Sequence, residues 1–173
     1  MQNLPPTTKH LFEAEKSNNI EAVRYLLENG ADPNLNIPEL TNDCPLYDLH
    51  FLWQEMLNEA HQRLAITKLF FDYGTDPDLL YDGDTLYEHL FEDLFRVPLW
   101  VTSHDPEYTK QFFLLLLAYG GGSKPILYAP PFLVEPIDRN RVFSYELKIT
   151  KTEDGNQERG HIIAPNGKII GYV

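Results

Sequence analysis

Three glycines, Gly30, Gly74 and Gly120, each follow an apolar triplet by the same interval. Counting back five, four and three positions gives Tyr25-Leu26-Leu27, Leu69-Phe70-Phe71 and Leu115-Leu116-Leu117. Glycine is the residue of choice just past a helix end, because it takes the left-handed conformation without a Cβ clash. The residues after the first two glycines also agree: Ala31-Asp32-Pro33-Asn34 and Thr75-Asp76-Pro77-Asp78. A proline at that place keeps the helix from resuming.

Ahead of each glycine lies a leucine–aromatic–acid triplet, at Leu11-Phe12-Glu13, Leu46-Tyr47-Asp48 and Leu86-Tyr87-Glu88. It suits the first turns of a helix, with the acid toward the positive dipole end and the leucine and aromatic facing a core. The unit is therefore helix, turn, helix, glycine stop and loop, three times over. Such a unit cannot bury its apolar face alone and needs neighbours.

Residues 8–34 resemble an ankyrin repeat, most closely over Ser17 to Asn34. Cys44-Pro45-Leu46-Tyr47 and Asp84-Thr85-Leu86-Tyr87 are similar to that family's Thr-Pro-Leu-His turn, with tyrosine in place of histidine. The units are longer than the family's, spanning 19, 28 and 34 residues from leucine to glycine. Gln54 to His61 is helix-forming in composition, and Val97 to Pro106 is bounded by prolines like a loop. The resemblance implies a mainly α fold, an ankyrin-like helical-repeat stack over 1–124, with repeats at about 8–40, 41–80 and 81–124.

Beyond it, Pro125 to Pro136 holds four prolines in twelve residues, which rules out helix or central strand. Phe143, Tyr145, Leu147 and Ile149 then alternate with polar residues, the two-residue period of a strand. His161 to Ala164 and Ile169 to Val173 read as two more strands, joined through Asn166-Gly167, a hairpin signal. Residues 125–173 are thus expected to be a proline-rich connector and a three-stranded antiparallel sheet capping the last repeat, with a second binding surface as a compatible role.

The chain carries a net charge of −12, unevenly spread. Residues 1–124 hold 8 Lys and Arg against 20 Asp and Glu, whereas 125–173 hold 6 of each. An acidic surface repels nucleic acid and anionic membranes and attracts basic partners. The longest apolar run, Phe112 to Tyr119, is far short of the roughly 20 residues that span a bilayer. With no secretory leader at the N-terminus, the expected location is the cytoplasm.

Chemistry is sparse. Cys44 is the single cysteine, and no two histidines stand four apart, so neither a cysteine zinc site nor a paired-histidine helix can form. Asp72 to Asp93 holds eight acids and no Lys or Arg, but a calcium loop begun at Asp78 places Leu80 and His89 where carboxylates belong. Gly120 to Lys124 lacks phosphate-loop spacing, and Ser103-His104-Asp105 is adjacency rather than a triad. No cofactor or metal is expected.

The reading is a non-catalytic protein–protein interaction module with an acidic surface for a basic partner. By the resemblance, that partner lies along the inter-repeat loops and first helices, at Thr41, Asp43, Tyr81, Asp82 and Asp84, with Trp53 and Trp100 as aromatic anchors. Three other readings stay open. One is an immunity or antitoxin protein neutralising a toxin, and one is an enzyme with a site at the repeat–sheet junction around His104 and His161. The last is a structural subunit assembled through its C-terminal strand, and a homo-oligomer also remains open.

Overall fold

The computed structural model describes residues 6–34, 49, 59–81, 83–95, 105–123, 131–151 and 158–173. Its helices are α1 (Pro6–Lys16), α2 (Ile20–Glu28), α3 (Ala60–Asp72), α4 (Leu86–Phe95) and α5 (Pro106–Ala118). A two-stranded ribbon, β1 (Leu80–Tyr81) with β2 (Asp84–Thr85), precedes α4. The C-terminal part forms a four-stranded antiparallel sheet from β3 (Phe132–Leu133), β4 (Glu146–Lys151), β5 (Glu158–Ile163) and β6 (Ile169–Tyr172), in the order β3-β6-β5-β4.

All three glycines end helices in the same way. Each has positive φ, between 86° and 91°. The amides of Gly30, Gly74 and Gly120 donate to the carbonyls of Leu27, Phe71 and Leu117, and the next amides donate to Leu26, Phe70 and Leu116. These paired 5→2 and 6→1 bonds are the Schellman closure, which satisfies carbonyls a helix end would leave orphaned. Helix starts are capped too. Asn19 accepts from Ala22 N at the start of α2, and Asp105 from Glu107 N and Tyr108 N at the start of α5. Thr85 and Glu88 exchange bonds as a capping box on α4, the reciprocal arrangement that sequence S/T-x-x-E favours.

Helix α5 is the centre of the molecule. Phe112 through Leu117 are all buried, so its C-terminal half is apolar all round rather than along one stripe. It packs on α3 and α4 at one side and on β4 and the 3-10 turn Val142–Ser144 at the other. Helix α2 bridges α1 to α3. Arg63 of α3 and Glu15 of α1, both buried, form an ion pair at 3.5 Å.

The expected mainly helical repeat stack with a three-stranded cap is corrected here. The described residues form a mixed α/β arrangement of five helices and a four-stranded sheet. The sheet is a layer of the fold rather than a lid. Leu147, Ile162, Ile170, Val142 and Ile137 belong to the same buried cluster as Phe113 and Leu115. The unforeseen strand, β3, lies in the proline-rich segment, at the edge of the sheet where its prolines cost no ladder bonds. Its pairing makes β6 an inner strand, between β3 and β5, so β6 offers no free edge for assembly. The expected alternation from Phe143 is also shorter than read. Val142 to Ser144 is a 3-10 turn that buries Val142 and exposes Phe143, and the strand starts at Glu146.

Candidate functional site

The loops that follow the glycines lie side by side and are bonded to one another. In the first, Asn34 N donates to Asp32 Oδ1 at 2.9 Å, and in the second Asp78 N donates to Asp76 Oδ1 at 2.9 Å. Each Asp-Pro-Asn/Asp sequence is an Asx turn, in which the short carboxylate mimics a backbone acceptor. The last residue of each then reaches the next loop. Asn34 Oδ1 accepts from Asp76 N at 2.7 Å, and its Nδ2 donates to Gly74 O at 3.1 Å. Asp78 Oδ1 accepts from Gly122 N at 2.8 Å, and Oδ2 accepts from Ser123 Oγ at 2.6 Å. The two bonded amides, Asp76 and Gly122, stand two residues after their glycines, so one contact is made twice. Gly122 is doubly constrained, with φ at +76° and a Cβ that would fall 2.7 Å from the Tyr87 ring.

This geometry changes the meaning of the acidic run. Asp78 is buried and serves as a bridge between loops. Glu88 is buried in its capping box. Asp72 binds Lys68 Nζ at 2.7 Å and accepts from the Tyr119 hydroxyl. Among the described residues, Asp32, Asp72, Asp76, Asp84 and Glu92 are exposed. Asp84 Oδ2 stands 4.0 Å from His89 Nε2.

Of the seven residues named as a binding surface, the structure brings Tyr81 and Asp84 together as cross-strand partners in the β1–β2 ribbon. Thr41, Asp43, Asp82, Trp53 and Trp100 lie outside the described residues. So does the leucine–aromatic–acid triplet at 46–48, and so does His104 of the enzyme reading. His161 faces away from α5, on the side of β5 opposite buried Ile162, with its ring 5.5 Å from that of Tyr172. Tyr87, early in α4, is buried against Phe91 and Phe113. Burial pushes its phenol up to about 12.

Two further surfaces had no sequence signal. The outer face of the sheet carries a row in register across all four strands: Phe132, Tyr172, His161 and Lys148. Phe132 is 69% and Tyr172 47% exposed, among the most exposed large apolar side chains described. The second is a groove of about 420 Å³ between the N-terminal turns of α3 and α5 and the 3-10 turn, lined by His61, Leu64, Glu107, Gln111 and Phe143. The lining of both is drawn from elements remote in sequence, which no local pattern reveals.

Among the described residues, no group of three or more His, Cys, Asp or Glu is placed to hold a metal ion. No helix among them is long and apolar enough to cross a membrane. No protein-family model matches the chain, and no curated protein matches it either.

Proposed function

We propose that the chain is a non-catalytic protein-binding module whose acidic helical part receives a basic protein partner. The observation that carries the reading is the bonded loop edge, with Asp32 and Asp76 exposed on it at equivalent positions and Asp84 on the adjoining ribbon. Each loop carboxylate accepts a backbone bond from its own turn through one oxygen, and that bond holds its orientation. Carboxylates fixed in this way form a preorganised field, and preorganisation lowers the cost of binding. The acidic excess of residues 1–124 adds long-range attraction for a positively charged surface.

The test is association with a basic partner, recovered by pull-down and measured at rising salt. The apparent affinity should fall steeply between 50 and 300 mM salt, roughly as charge screening shortens the Debye length. Asp32→Asn together with Asp76→Asn should reduce the association rate more than the dissociation rate changes. Binding that is indifferent to both salt and these substitutions would sink the reading.

A further inference from the structure

We infer that the bonded loop edge has an open end at Gly30 and Asp32, and that this end receives an asparagine side chain from a loop of the partner protein. The inference rests on the protein-binding reading and names the joint at which the partner attaches.

The edge itself shows what such a position takes. At the second loop Asn34 makes a two-point contact: its Nδ2 donates to Gly74 O, and its Oδ1 accepts from Asp76 N. The first loop has the same backbone. Gly30 and Gly74 have φ of 86° and 91°, and each is followed by a turn closed on the aspartate two residues on. Gly30 O and Asp32 N are thus the counterparts of Gly74 O and Asp76 N, yet neither has a hydrogen-bond partner among the described residues. Both residues are exposed, and the space beside Gly30 is clear. A carboxamide brings the donor and the acceptor together on two atoms. A carboxylate has no donor for Gly30 O, an ammonium has no acceptor for Asp32 N, and a hydroxyl cannot span both from one atom.

Helix α2 is also uncovered where its counterparts are covered. The helices that end in the three glycines stand side by side, α2 against α3 and α3 against α5. Tyr25 of α2 is 64% exposed, whereas Leu69 and Leu115, equally five residues before a glycine, are 7% and 0% exposed. A tyrosine there gives a partner helix a ring to pack on. A second copy does not suit this face. Glu21 and Glu28, both exposed, flank Tyr25 one turn to either side, and two copies joined there would set acid against acid. The occupant is a different protein, with a helix ending in a loop that carries the asparagine.

The experiment follows amide–water exchange by NMR in the full chain. In the free chain the Asp32 amide should exchange at least about tenfold faster than the Asp76 amide, which Asn34 holds. The probe is a helix-stapled peptide copying Ile20–Asn34, the segment whose own asparagine makes the internal contact. It is used in the wild-type sequence and in a form with Glu21→Lys and Glu28→Lys. Binding should slow Asp32 exchange to the level of Asp76 and shift the Tyr25 ring resonances. Asn34→Leu in the peptide should weaken binding about tenfold, for the loss of both hydrogen bonds. Tyr25→Ser in the chain should weaken it several-fold. An Asp32 amide already protected in the free chain would overturn the proposal, as would protection that grows with the chain's own concentration, the mark of a second copy. No change at Asp32 with either peptide at millimolar concentration would overturn it as well. If the lysine form binds in a salt-sensitive way, equally with and without Asn34 and with Asp32 exchange unchanged, the joint fails and the basic-partner reading stands. If both forms slow Asp32 exchange alike at low and high salt, the joint stands and the acidic-surface reading fails.

Discussion

The helical part and the C-terminal sheet solve the same problem by different means. In the helices, elements distant in sequence are joined by single polar side chains: Arg63 to Glu15, Asn34 to the loop at Gly74, and Asp78 to the loop at Gly122. In the sheet, the backbone ladder itself joins the strands, and side chains supply only one buried face. The difference predicts where the molecule is fragile. Removing one polar atom from the helical part orphans its buried partner, and that costs more than the bond itself was worth. Removing an exposed side chain from the sheet leaves every ladder bond in place.

The sharpest way to break this contrast is at the buried ion pair. Glu15→Ala or Arg63→Ala should each destabilise by about 3–5 kcal/mol, because an uncompensated charge is left inside. The double change Glu15→Leu with Arg63→Met should recover most of that loss in urea unfolding. If the single changes cost under 1 kcal/mol, the helices do not depend on the pair.

Next comes the response to high pH. Tyr87 has a folded pKa of about 12. Its unfolded value is about 10, so the folded state holds its proton more tightly. The stability linked to this group is fully present below pH 10. It is lost progressively as the pH rises toward 12, by roughly 2–3 kcal/mol. Tyr87→Phe should abolish that share of the alkaline loss, read as a flatter unfolding free energy between pH 9.5 and 11.5.

Asp78→Ala should cost about 2–3 kcal/mol, because it strands the buried Gly122 amide. Asn34→Ala, at the equivalent but more exposed position, should cost about 1 kcal/mol. The ratio sharpens the comparison, since the same contact is made at two depths. At the small end, Phe132→Ser and Tyr172→Ser should each change stability by no more than about 0.5 kcal/mol. A thermal shift equivalent to 2 kcal/mol would show the outer face to be covered, and the proposed difference between the two parts would fall.

Much of the helical part was legible because its signals are local. A glycine after an apolar triplet, Asp-Pro in a loop and the Leu86-Tyr87-Glu88 triplet in a first turn all act within six residues. The ends of α2, α3 and α5 therefore appear where the glycines place them. The sheet was read less well. Two residues between prolines, Phe132 and Leu133, carry no periodicity, and only pairing with Gly171 and Tyr172 makes them a strand. Phe143 fitted an alternating pattern by chance of spacing, and its exposure became visible only once Val142 had taken the buried place. Of the candidate site, the acidic character was readable. The division of its carboxylates into exposed ones and ones bonded within the fold was not.

The order of residues along the chain was enough to set where helices stop, which segments alternate and on which side of residue 124 the negative charge lies. Those properties depend on backbone sterics and formal charge, which are carried by each residue and its near neighbours. The depth at which Asp78 sits, the single core shared by sheet and helices, and the groove at Gln111 were decided by packing. They depend on which distant surfaces meet, and that is a property of the whole folded chain.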